Sequence, residues 1–156
     1  MRTINQLLDE YGASHQNRSN KILHWVCVPA IFWTVVALLW SLPFPAELSL
    51  LGVPLNWAVI AMVLLQLYYF KLSVALALGF LVINVALLMF TGSAERHFVW
   101  PLWQVALLVF VVAWIGQFIG HAVEGKRPSF FKDLQFLLIG PAWLLAAMYR
   151  TLGIKY

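Results

Sequence analysis

Charge is scarce in this sequence. Only 10% of its 156 residues are charged, ten basic and six acidic, against roughly 25% in an average soluble domain. A soluble fold of this size leaves about a third of its chain surface in water, and so few charges do not coat it. An ordinary cytosolic domain and a disordered chain are both excluded. Cysteine is nearly absent too: Cys27 stands alone. No intrachain disulfide can form, and a lone cysteine inside an apolar run reads as a small core residue rather than a catalytic thiol. The first twenty residues, MRTINQLLDEYGASHQNRSN, hold no apolar stretch, so no cleavable signal is expected. There is no Gly-rich phosphate loop, no GxSxG and no HExxH. The acidic residues are too scattered for paired-carboxylate hydrolysis. The net charge of +4 does not point to nucleic acid, because the basic residues sit at the boundaries of apolar runs rather than along one soluble face.

What the chain has is apolar length. Hydrophobic residues make up 63% of it. Uncharged stretches, histidine aside, cover 22–46, 48–70, 72–94 and 98–123, each 23 to 26 residues long, and a fifth covers 134–149. A spanning helix needs about 20 apolar residues, so the first four pass. The fifth reaches that length if Arg150 snorkels to the interface. The expected fold is all-α: one integral membrane domain over 1–156, a multi-pass helical bundle of four to five spans. These fall near 22–41, 55–70, 73–91, 101–121 and 134–152. An amphipathic helix over 3–11, ended by Gly12, lies within a cytoplasmic segment 1–21. Ser19 or Asn20 is expected to cap the first span, Pro43 and Pro45 to open a loop, and TGSAERHFVWP to form another.

Lysine and arginine set the orientation. With the N-terminus in the cytoplasm, Arg2, Arg18, Lys21, Lys71, Lys126, Arg127 and Lys132 lie inside, and Arg96, Arg150 and Lys155 outside. A re-entrant last helix raises the ratio to nine against one. Either count favours this orientation, in a bacterial inner membrane or the endoplasmic reticulum.

That topology sorts the four histidines. His15, His24 and His121 reach the cytoplasmic face. His97 falls on the other face, about 30 Å away across the hydrocarbon. Three imidazoles on one face suit iron, zinc, copper or nickel and leave coordination positions open. Polar neighbours accompany them. Gln117, His121 and Glu124 share one helical stripe, as do Asn20 and His24; Asn17 and Arg18 lie between the N-terminal histidines. Asn17, Asn20 and Gln117 are candidates to hold the second ring nitrogens. Glu124 reads as a catalytic or ligating carboxylate, or as a solvated partner of Lys126 or Arg127. Gly116 and Gly120 make a small-xxx-small step that lets another helix come close, and Gln66 and Asn84 are placed for hydrogen bonds between helices.

Two stretches carry a resemblance. One runs His15-Gln16-Asn17-Arg18-Ser19-Asn20 through His24 to Val28-Pro29. The other is Trp114-Ile115-Gly116-Gln117-Phe118-Ile119-Gly120-His121, followed by Glu124 and Lys126-Arg127-Pro128. Together they resemble the small multi-pass 2-hydroxy fatty acid dioxygenases of fatty acid α-oxidation, whose fungal member acts on 2-hydroxy palmitate in the endoplasmic reticulum. The resemblance implies a non-haem Fe(2+) enzyme, independent of 2-oxoglutarate, with the metal on His15, His24 and His121. The expected reaction cleaves the C1–C2 bond of a 2-hydroxy fatty acid with dioxygen, giving an acid one carbon shorter. Arg18 or Arg127 is then the expected partner of the substrate carboxylate. The bilayer is the expected surrounding, and a homo-oligomer is compatible with it. Three alternatives stay open: a small membrane haem protein for electron transfer, a non-catalytic membrane protein, and a zinc hydrolase.

Overall fold

The computed structural model describes residues 3–13, 15–45, 49–50, 53–125 and 130–156, with side chains left aside at 50, 53–54 and 130–137. Its helices are α1 (Ile4–Gly12), α2 (Arg18–Trp40), α3 (Trp57–Leu72), α4 (Val74–His97), α5 (Leu102–Glu124) and α6 (Phe130–Thr151). Strands β1 (Ser49–Leu50) and β2 (Val53–Pro54) pair antiparallel between α2 and α3. The all-α reading therefore stands, apart from this short two-stranded ribbon.

Three of the helices, α2, α4 and α5, are long and apolar enough to cross a membrane, and α3 is a shorter apolar helix. Their outward rows are apolar: Val26, Val63, Val82, Met89, Val112 and Ile119 are all exposed. Water does not tolerate such a surface, but hydrocarbon does. The chain is a membrane protein.

Helices α2 to α5 alternate in direction. At one end, Phe32, Val36 and Trp40 of α2 pack with Val59 and Met62 of α3, Ala94 of α4 and Ala106 of α5. At the other, Tyr69 of α3 and Leu76 and Phe80 of α4 pack with Leu7, Leu8 and Tyr11 of α1 and with Ile139, Ala142 and Leu145 of α6. Tyr69 donates its hydroxyl to the Leu138 carbonyl at 2.6 Å and stacks on Phe80. Tyr149 donates to the Ala75 carbonyl at 3.0 Å. Thus α1 and α6 cover the end where α2 begins and α5 finishes.

Several local expectations shift for physical reasons. The first helix keeps Gly12, which serves packing rather than a left-handed stop: a Cβ there would come within 3.2 Å of the Trp143 indole nitrogen. Thr3 and Gln6 close a reciprocal cap at its start. The cap of α2 is Asn17, whose side chain accepts from the Ser19 N–H at 2.8 Å. Helix α4 continues through the expected TGSAER loop to His97. Thr91, Gly92 and Ala94 are buried there, Gly92 lies against the Trp40 ring, and Glu95 accepts from the Trp40 indole N–H at 2.7 Å. Packing against α2 thus holds a polar, Gly-containing segment in helix.

Candidate metal centre

The site forms where α2 and α5 press together. A Cβ on Gly116 would lie 2.6 Å from the Cys27 sulfur, and one on Gly120 2.5 Å from the Asn20 carboxamide oxygen. Only glycine allows that approach. It carries His24, near the start of α2, against His121, near the end of α5. His15 arrives from the short link between α1 and α2. His15 and His24 are buried, and His121 is partly so. One ligand nitrogen from each of the three lies within 4.8 Å of the other two.

The hydrogen bonds fix what these nitrogens present. His15 Nδ1 lies 2.6 Å from the Tyr11 carbonyl and His24 Nδ1 3.0 Å from the Asn20 carbonyl. A carbonyl only accepts, so both Nδ1 atoms carry the hydrogen and donate. Both Nε2 atoms are then lone pairs, and they face each other at 2.8 Å. Two facing acceptors repel unless a cation lies between them. A shared proton would require a buried imidazolium, and burial holds His15 below the usual imidazole range. A metal ion satisfies both. Ring nitrogens in adjacent positions on a metal, each about 2.1 Å from it, lie about 3 Å apart. The donor set and its tautomers fit a divalent metal.

The surroundings stiffen the site. Tyr11 stacks on His15, with ring centroids 4.2 Å apart and 12° between planes. Trp143 of α6 lies 5.7 Å from both rings. Glu124 makes a clamp: one carboxylate oxygen accepts from the Gln16 N–H at 2.8 Å, and the other from the Asn17 N–H at 2.9 Å and the Asn20 side-chain amide at 3.0 Å. It ties the end of α5 to the link that bears His15.

The roles of the polar neighbours differ from the expected ones. For His15 and His24, backbone carbonyls rather than the Asn17 or Asn20 side chains take the second ring hydrogens. Asn17 caps α2, Asn20 reaches Glu124, and Gln117 is buried one turn before His121. Arg18 is exposed at the first turn of α2. Arg127 and Lys126 lie outside the described residues. His97 bonds to the Ser93 carbonyl at 2.8 Å near the opposite end of the bundle, away from the cluster. A cavity of about 410 Å³ opens beside His15, and its walls include Lys21, Trp143 and Arg150. Sequence alone gives none of these three a place in the site; for Trp143 and Arg150 the reason is that nothing in periodicity says that α6 folds back over α1. Tyr11, four residues before His15, carries a faint signal of its role.

Residues 1–152 match the family described as 2-hydroxy-palmitic acid dioxygenase Mpo1-like. The chain belongs to this family. The Mpo1-like assignment agrees with a curated relative, the 2-hydroxy-palmitic acid dioxygenase MPO1 of Saccharomyces cerevisiae. The two are 27% identical over 145 residues, 92% of this chain and 78% of the relative. No solved structure matches the chain. The Mpo1-like match takes in both stretches that supply the three histidines.

Proposed function

We propose that this protein is an Fe(II)-dependent, 2-oxoglutarate-independent dioxygenase of 2-hydroxy fatty acids, with the metal on His15, His24 and His121. The observation that carries the reading is the pair of facing Nε2 lone pairs at 2.8 Å, with His121 beside them. The relative's activity supplies the substrate class. With one dioxygen per hydroxy acid, C1–C2 cleavage balances as an acid one carbon shorter, carbon dioxide and water.

The chain's residues have separable tasks. The Tyr11 and Asn20 carbonyls hold the tautomers. Glu124 holds the His15 link in register with α5. The Tyr11 and Trp143 rings close one side of the cluster and limit water. Bound iron would supply dioxygen activation and a coordination point for the 2-hydroxyl. Three converging imidazoles are one more than a haem's two axial positions use, which favours a non-haem metal over the haem alternative.

The membrane arrangement proposed here has α2 to α5 crossing as four spans, with α1, α6 and the metal centre at the cytoplasmic end. Its support is that α6 packs with Tyr11, Tyr69, Ala75 and Phe80, all at that end. With α6 there, nine of the ten basic residues are cytoplasmic.

Oxygen uptake by the detergent-purified protein tests the activity. With 2-hydroxypalmitate and Fe(II), uptake should match formation of the acid one carbon shorter, mole for mole. A His15/His24/His121→Ala variant should consume no oxygen above background. Turnover that persists without oxygen would contradict the reading.

A further inference from the structure

The cavity beside His15 has a charge pattern that the metal centre does not explain. Lys21, one turn into α2, and Arg150, near the end of α6, both line it. Among the described residues neither is paired with a carboxylate; Arg150 donates to the Tyr156 hydroxyl at 2.9 Å. Lys21 and His15 line the same cavity. Trp143, which packs beside His15, lies two helical turns before Arg150 on the same face of α6. The wall therefore runs from His15 along α6 to a cation. Asp9 also faces the cavity, so its lining carries two positive charges and one negative.

We propose that Lys21 and Arg150 form the carboxylate-recognition site for the substrate, an acyl 2-hydroxy acid entering through this cavity. This rests on the hydroxy-acid reading above and replaces Arg18 and Arg127 in the recognition role. The cavity is the right kind of place. It adjoins one buried ligand, it has an apolar side in Leu8 and Trp143, and it lies at the bundle end, where a fatty acid's headgroup sits while its chain stays in hydrocarbon. A carboxylate taken from water needs charge-assisted partners to offset its desolvation. Lys21 supplies one beside the metal ligand, and Arg150 one at the far wall, steadied by Tyr156. An uncharged 1,2-diol of equal length meets the same walls without that gain.

The test is equilibrium binding of radiolabelled 2-hydroxypalmitate and of hexadecane-1,2-diol to the full chain in phosphatidylcholine nanodiscs, with iron content measured on the same samples. Wild type, Lys21→Gln, Arg150→Gln, the double variant and Lys21→Arg are compared. The expected result is a preference for the acid over the diol that falls about 10-fold with each Gln substitution, at unchanged iron content and unchanged diol affinity. Lys21→Arg should restore most of the preference. In turnover the same variants should raise KM with little change in kcat. An acid preference equal in wild type and double variant would overturn the proposal. So would its disappearance on adding phosphatidylglycerol to the discs, because the cations would then serve lipid phosphates. Failure of the dioxygenase reading looks different: wild type binds the acid selectively and holds iron, but consumes no oxygen.

Discussion

At the scale of single residues, the metal centre turns on hydrogen placement. Tyr11 and Asn20 offer carbonyls to Nδ1, and that alone turns two histidines into facing lone pairs. His24→Ala should remove most of the bound iron and cut turnover at least 100-fold, measured by elemental analysis and oxygen uptake. Glu124→Gln keeps the shape but replaces one accepting oxygen with a donor, so the Gln16 and Asn17 N–H groups and the Asn20 amide cannot all be satisfied. A 10–100-fold loss of iron affinity is expected, the scale for groups that orient ligands, and titration with Fe(II) under anaerobic conditions checks it. Acid should act through His15. Burial lowers its pKa below the ordinary value of 6.5, so the unfolded chain takes up the proton more readily than the folded one. The resulting stabilisation is fully present above pH 6.5 and is lost as pH falls through the folded value. A metal on the same ring adds a demand for the neutral form. Iron affinity should therefore be flat above pH 6.5 and decline as pH falls through the lower folded value. The histidines themselves are legible in the sequence, because the charge-free runs set His15, His24 and His121 at one end of the bundle and His97 at the other. Their acceptors are not, since a backbone carbonyl leaves no mark on residue type.

At the scale of elements, the centre depends on how closely α2 meets α5. Gly120→Val would drive a side chain into Asn20, which must yield or push the helices apart. Overpacking of this kind costs about 1–3 kcal/mol. Here it should also release iron, because His24 and His121 sit on the two separated helices. Denaturant unfolding with metal analysis on one sample measures both. The small-xxx-small step at Gly116 and Gly120 announces this contact in the sequence. The extension of α4 does not announce itself: Thr91, Gly92 and Ser93 read as a loop, and only burial against Trp40 holds them in helix. The Gln66–Asn84 pair is legible as interhelical bonding, and the Asn84 amide does donate to the Gln66 oxygen at 3.0 Å.

At the scale of the whole molecule, one end of the bundle carries the histidine cluster and the cavity. Helices α1 and α6, the three histidines and the cavity all gather there, and lipid-facing rows cover the rest. Apolar run lengths reveal the bundle but not the return of α6, which is as long as a span. Membrane-impermeant thiol reagents can check the arrangement in a Cys27→Ala background. Asn5→Cys and Lys155→Cys should react from the same side of the membrane and Val99→Cys from the other. The most direct test of the central claim is anaerobic Fe(II) binding to the purified chain, followed by metal analysis and an absorption spectrum. About one iron per chain, no haem band, and loss of that iron in the His15/His24/His121→Ala variant are expected. An equal iron content in wild type and variant, or none in either after reconstitution, would contradict the claim.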